Sequence, residues 1–350
     1  MDTHLQVCHL EQTTTSTRKD TDGLNYYRDM VDLEGLDPDL AGIAASWLAP
    51  PTQSGLLAYL FKEGRLDLVQ MLIREGIVDQ TLGEKVVVAL RTASAIYKDF
   101  RVEGYSVGLE SMTPRMLAEN ELLLWRPSLA KGEDLRRALS VEIPVRQDWV
   151  KRGVDSRSEE SVLSFYRESE SYIFELMAAN NLIQTLYNYG VTLAKMIDLG
   201  ITEFLDYGAG IGSFVLLGKG SGFSVRHMDL EGKTLDFARW RYAIRGLDVP
   251  ILCARGNHAD IPDSCAVVCT EVIEHLFDPL ALLNRLTKII PAGGYVIISE
   301  SCGYVEKFIS HLSANQWLAG RAFAQEMEAR GFLEVLPEPR VHPRIFRRLG

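Results

Sequence analysis

Residues 201–350 alternate short apolar runs with longer stretches of helical spacing. The apolar runs fall at 203–206, 223–229, 250–254, 265–269, 294–299 and 332–336, and helical spacing fills 212–219, 232–245, 278–289 and 314–330. Strands and helices in alternation predict an α/β fold, a doubly wound, mostly parallel sheet with helices on both faces. Gly331 ends the last helix. Beyond it, 332–336 and 345–348, separated by Pro337, Pro339 and Pro343, predict two closing strands.

The first half reads differently. Residues 1–22 are polar and threonine-rich and predict a disordered lead-in. From about 25 to 150 the spacing is helical, through Leu56, Leu57, Leu60 and Phe61, then Leu66, Leu68, Val69, Leu72 and Ile73, then 86–96, with Gly64, Gly76 and Gly83 between. In the bridge that follows, Ser158 with Glu159 and Glu160 predicts a helix start. Apolar faces continue through Val162, Phe165, Tyr166, Tyr172, Phe174, Leu176, Met177, Ile183 and Leu186 to Gly190. The resulting divisions are a lead-in at 1–22, a mainly helical domain at 23–157, bridging helices at 158–200 and the sheet domain at 201–350.

Composition narrows the picture. A chain of 350 residues suits about two domains, and it contains no apolar run of the ~18 residues that a membrane span needs. Neither a membrane association nor a secretory leader is expected. The cysteines, Cys8, Cys253, Cys265, Cys269 and Cys302, form no C-x-x-C pair and no zinc pattern with histidine. They read as reduced thiols of a cytoplasmic protein, with Cys253, Cys265 and Cys269 packed in strands, and no metal is expected. Net charge is −10, with the two signs nearly balanced over 201–350, so the acidity lies in the first 200 residues. That balance disfavours a nucleic-acid partner. Arg340, Arg344, Arg347 and Arg348 read as a solvated strand edge.

The chemistry concentrates at 203–212, Glu-Phe-Leu-Asp-Tyr-Gly-Ala-Gly-Ile-Gly, a strand that breaks into alternate glycines. Such a turn brings backbone close to a ligand without intervening side chains. The next strand ends in Asp229, 21 residues after Gly208, where a doubly wound sheet presents an acid to ribose hydroxyls. Ser213 stands where a dinucleotide G-x-G-x-x-G turn requires its third small residue, and Gly212 gives D-x-G-x-G-x-G instead. This pattern, with Cys-Thr-Glu-Val-Ile-Glu-His-Leu-Phe-Asp-Pro at 269–279 and Pro-Ala-Gly-Gly-Tyr-Val-Ile-Ile-Ser-Glu at 291–300, resembles the class I S-adenosylmethionine-dependent methyltransferases over roughly 160–350.

That resemblance implies a seven-stranded sheet, S-adenosyl-L-methionine as cofactor and S-adenosyl-L-homocysteine as product. It also implies roles. Gly208, Gly210 and Gly212 shape the turn under the methionyl part, Asp206 orients that turn and reaches the amino group through water, and Asp229 takes the ribose. Asn257, or else Asp260, meets adenine, although many relatives carry an aspartate at the first of these positions. Thr270 and Glu271 line the mouth where the methyl is transferred. In-line displacement demands alignment and a dry site rather than a covalent intermediate. A base is needed only for a hydroxyl or protonated amine, and His275 is the candidate, with His311 as an alternative. The reading that Glu274 and His275 merely open the next helix competes with this.

The expected acceptor is a small molecule of specialised metabolism, methylated on oxygen or nitrogen. A peptide or protein acceptor, a non-catalytic nucleotide-binding scaffold and a nicotinamide oxidoreductase are the alternatives. By analogy of fold, the helical domain supplies an acceptor lid, a homodimer contact or both.

Overall fold

The computed structural model describes residues 66–74, 80–97, 114–129, 142–255, 258–335 and 343–350. The lead-in at 1–22 and Asn257 lie outside the described residues.

The sheet contains seven strands: β1 (Glu203–Tyr207), β2 (Ser224–Leu230), β3 (Ile251–Ala254), β4 (Ala266–Cys269), β5 (Tyr295–Ile298), β6 (Phe332–Glu334) and β7 (Arg344–Arg348). Their spatial order is β3-β2-β1-β4-β5-β7-β6, with β1 to β5 parallel and β7 antiparallel to both neighbours. All four residues of β4 are buried, as a central parallel strand covered on both faces requires. Winding reverses between β1 and β4, so a crevice opens beyond the carboxyl ends of those two strands, where sheets of this kind bind ligands.

Among the described residues, seven helices of eight residues or more precede β1: α1 (Leu66–Arg74), α2 (Gln80–Tyr97), α3 (Pro114–Trp125), α4 (Ile143–Arg152), α5 (Glu159–Glu168), α6 (Ser171–Ala179) and α7 (Ile183–Asp198). Four more join the strands: α8 (Ser213–Gly220), α9 (Lys233–Ala243), α10 (Pro279–Ile289) and α11 (Arg321–Ala329). The start of α5 is the one the sequence predicts, because the Ser158 side chain accepts a bond from the Ser161 amide.

One sheet face is covered by a core that joins Val86, Leu90 and Ala93 of α2 to Leu193 of α7, Phe204 of β1 and Phe214 of α8. The close approach of α2 and α7 requires Gly190. A side chain there would run into Val88 and the Thr92 hydroxyl. The described part of the helical region thus shares one core with the sheet. On the opposite face, Leu282, Leu283 and Leu286 of α10 and Phe323 and Met327 of α11 pack on Leu205, Val267, Val296 and Phe346.

Three details depart from the sequence reading. The helix expected over 314–330 is a 3-10 segment, Ser313–Leu318, followed by α11, because Gly320 at φ 60° breaks the spiral. Of the three cysteines expected inside strands, Cys269 is buried, whereas Cys253 on the outermost strand β3 and Cys265 just before β4 are exposed. The last pair of strands is β6 and β7 as expected, with β6 stopping at Glu334.

Candidate active site

The turn after β1 holds Gly208, Gly210 and Gly212 at φ of 69°, 57° and 74°, a left-handed region that other residues avoid. Its first three amides are taken up within the chain. Gly208 and Ala209 donate to the Met228 carbonyl at 2.8 and 3.2 Å, and Gly210 donates to Asp229 Oδ2 at 2.5 Å. The other Asp229 oxygen accepts the Leu230 amide at 2.6 Å. Burial raises the Asp229 carboxyl to about 6, while these two backbone bonds pull it down. Each oxygen has a second lone pair left for a ribose hydroxyl.

The amides of Gly208, Ala209 and Gly210 thus go to Met228 and Asp229 rather than to Asp206. Its carboxyl is buried, and burial together with the charge of Asp229 raises it to about 8. The turn's exit is fixed from outside the sheet. Arg241 of α9 donates to the Ile211 carbonyl at 2.8 Å and to Ser213 Oγ at 3.0 Å, and Asn180 after α6 donates to the same Oγ at 3.1 Å. Arg241 in turn is held by Glu121 of α3, at 2.9–3.0 Å, and Arg245 reaches Glu121 at 2.6 Å. The side chains of Glu121 and Arg241 are fully inaccessible to solvent.

The crevice is closed from two sides. Leu176 of α6 lies over the turn, 3.0 Å from where a Cβ on residue 210 would stand. Val272 packs against Gly208 so closely that no side chain fits there. Val272 belongs to the loop after β4, which therefore abuts the glycine turn.

That loop carries the candidate chemistry. Thr270 is half-buried and acts on the phenol of Tyr189 in α7, as do the carboxylates of Asp206 and Glu271. Glu271 is exposed, adopts φ 54°, donates its amide to Ser299 Oγ at 3.0 Å and accepts the Ser301 hydroxyl. Glu274 is 1% exposed, neither carboxylate oxygen meets a donor in good hydrogen-bond geometry, and burial with the charge of neighbouring Glu271 pushes its pKa well up.

His275 Nδ1 lies 3.0 Å from the Ser310 carbonyl and 2.8 Å from the Tyr166 hydroxyl, and that hydroxyl lies 3.4 Å from the same carbonyl. A carbonyl oxygen accepts only, so Nδ1 carries the proton and Nε2 keeps its lone pair. Nε2 faces Glu274 Oε1 at 4.0 Å. His311 repeats the arrangement, with Nδ1 3.1 Å from the Ser301 carbonyl. Burial lowers both imidazoles, His311 to about 3, so both are neutral near pH 7. The two rings meet edge to face at 5.0 Å, and Tyr166 of α5 and Tyr172 of α6 wall the other side of His275. The loop is clasped by Asn315, whose amide donates to the carbonyls of Ile273, Glu274 and Leu276 at 2.7–3.3 Å.

Residues 205–298 match the family model described as a methyltransferase domain. That segment is a methyltransferase domain. Its cofactor is S-adenosylmethionine, and the matched segment holds the glycine turn, Asp229 and the Glu271–His275 loop. Among solved structures, a candidate methyltransferase of Methanococcus maripaludis is 15% identical, with 56% of this chain aligned to 94% of that one at a TM-score of 0.39. A candidate methyltransferase of Bacillus halodurans is 19% identical over 42% of this chain and 71% of that one, at a TM-score of 0.34. An S-adenosylmethionine-dependent methyltransferase of Clostridium acetobutylicum is 15% identical over 34% and 52%, at 0.31. Likenesses of this size add nothing to the assignment. No curated protein matches the chain.

The methyltransferase domain brings Asp206, Gly208, Gly210, Gly212, Asp229, Thr270, Glu271 and His275 to one end of its sheet, and His311 joins them from after β5. Asp260 stands in a 3-10 turn after β3, at the end of an exposed contact with Arg255. The sequence reading missed Glu121, Arg241 and Asn315, whose partners are distant in the chain and leave no local signal. Tyr166 and Tyr172 had one, the aromatic density of the bridge.

Proposed function

We propose that this domain moves the methyl group of S-adenosylmethionine to an oxygen or nitrogen of a small metabolite. The observation that carries the reading is enclosure. Tyr166 and Tyr172 cover His275 of the loop after β4, and Leu176 covers the glycine turn, so the chain's own side chains wall the acceptor end. A site walled in this way suits a small acceptor.

Asp229 would hold the ribose hydroxyls and the glycine turn the methionyl part of the cofactor, whose sulfonium supplies an already activated methyl. The chain's own work is then alignment and exclusion of water. Val272 fixes the distance between turn and acceptor loop, and the aromatic wall keeps solvent from the imidazoles. Neutral His275 and His311 each keep one lone pair, at Nε2, beside the acceptor end.

The test is a thermal-shift screen of small hydroxyl and amine compounds in the presence of S-adenosylhomocysteine, followed by transfer of a deuterated methyl read by mass spectrometry. Label on a small molecule supports the reading. Label found only on peptides or proteins sinks it.

A further inference from the structure

We propose that Glu274, His275 and His311 bind a divalent cation of the first transition row, with Glu271 beside them, and that this cation holds the acceptor oxygen. The second half of that statement rests on the methyl-transfer reading, whereas the cation site does not.

One ligand atom from each of the three residues already lies within 4.8 Å of the other two. Ligands arranged around one ion at ~2.1 Å stand roughly 3–4 Å apart, so small side-chain rotations complete the site. The Glu274 carboxylate is the deciding feature. It is buried, neither oxygen meets a donor in good hydrogen-bond geometry, the Glu271 carboxyl crowds it, and Oε1 stands 4.0 Å from His275 Nε2. Two carboxyls crowded together with one of them buried favour either a shared proton or a cation, and a bound cation would meet both charges at once.

The two histidines are set for coordination. Each donates its Nδ1 proton to a main-chain carbonyl, Ser310 for His275 and Ser301 for His311. That is the outer bond that fixes the tautomer and ring plane of a metal-binding imidazole. Tyr166 reinforces the first, and Asn315 holds the loop backbone from the other side. Two neutral imidazoles and a carboxylate suit manganese, iron or zinc better than magnesium or calcium, which prefer all-oxygen sites.

The position explains a use for the ion. Val272, two residues from Glu274, touches Gly208 of the cofactor turn, so a cation on this cluster stands at the methyl-transfer mouth. A bound cation lowers the pKa of a coordinated hydroxyl. On transfer, the acceptor oxygen's lone pair forms the O–C bond, the C–S pair returns to sulfur, and the hydroxyl proton passes to water. The acceptor class this selects is a hydroxyl, in preference to an amine.

The full-length protein, stripped with chelator, would be titrated with Mn2+ by calorimetry and electron paramagnetic resonance, then with Zn2+ by calorimetry. The expected result is one ion per chain, bound at least ~100-fold more weakly by both Glu274→Gln and His311→Asn. S-adenosylhomocysteine affinity should stay within ~2-fold in these variants, which shows that they fold. If a variant fails to fold, anomalous scattering from Mn2+ in wild-type crystals decides. A peak bounded by Glu274, His275 and His311 supports the site, and a peak elsewhere overturns it. No binding of either ion by wild type also overturns it. Binding of S-adenosylhomocysteine without an ion removes the cation alone, whereas an ion without S-adenosylhomocysteine binding removes the methyl-transfer reading and leaves the site.

Discussion

The Tyr242 hydroxyl lies 2.7 Å from Nδ1 of buried His227 and fills the space that a side chain on Gly212 would need. The cofactor turn is therefore shaped by a tyrosine on α9 and a histidine in β2, as well as by glycine's own freedom. Gly212→Ala would meet both the hydroxyl and an unfavourable φ of 74°. A loss of about 1–3 kcal/mol in urea unfolding is expected, together with at least tenfold weaker S-adenosylhomocysteine binding by calorimetry. A variant with unchanged affinity would show that the turn can relax.

Cofactor binding should depend on pH through Asp229. Burial raises this carboxyl to about 6 in the free protein, and ribose hydroxyls bind its ionised form. Affinity for S-adenosylhomocysteine should therefore be level above pH 7 and fall as pH drops through 6, approaching tenfold per unit. Asp229→Asn should bind at least tenfold more weakly at pH 7 and lose the slope between pH 5 and 7. For stability the sign is opposite. A carboxyl raised above its unfolded value of ~3.9 favours the fold most below that value, and this contribution is lost as pH rises through 6.

Glu121 is paired with two arginines in a site that water does not reach. Replacing it with Gln should cost about 3–5 kcal/mol, because Arg241 and Arg245 remain buried without their counter-charge. Since Arg241 also grips the Ile211 carbonyl in the cofactor turn, S-adenosylhomocysteine affinity should fall with stability. Chemical denaturation and calorimetry on the same variant would check both, and a stable variant with normal affinity would contradict the linkage.

The helical region can be tested by its shared core. A chain starting near Ser158 would expose the faces of α7 and α8 that Val86, Leu90 and Ala93 cover. Strong binding of a hydrophobic dye and loss of a cooperative urea transition are expected. A fragment that unfolds cooperatively and binds S-adenosylhomocysteine as the full chain does would show that α2 is dispensable.

The sheet was legible in the sequence because its information is local. Alternate glycines, the acid 21 residues later and the strand-helix rhythm each sit within one βαβ unit. Gly320 was less legible, since helical spacing runs across it and only the backbone at φ 60° reveals the break. His275 and His311 could each be singled out, but their meeting depends on chain folding back after β5 and on Asn315 clasping the earlier loop. Glu121 and Arg241, 120 positions apart, carry no mark of their partnership. Charged residues at helical spacing read as solvated until a tertiary contact buries them.

The placement of β7 between β5 and β6 has a consequence for synthesis on the ribosome. A nascent chain that has emerged only as far as β6 cannot dock that strand, because its sole neighbour is still inside the exit tunnel. Until then the apolar strand Tyr295–Ile298 has an unpaired edge, open to other chains. The period of greatest aggregation risk should thus end with the release of Arg344–Arg348, and slow translation just before that point would prolong it.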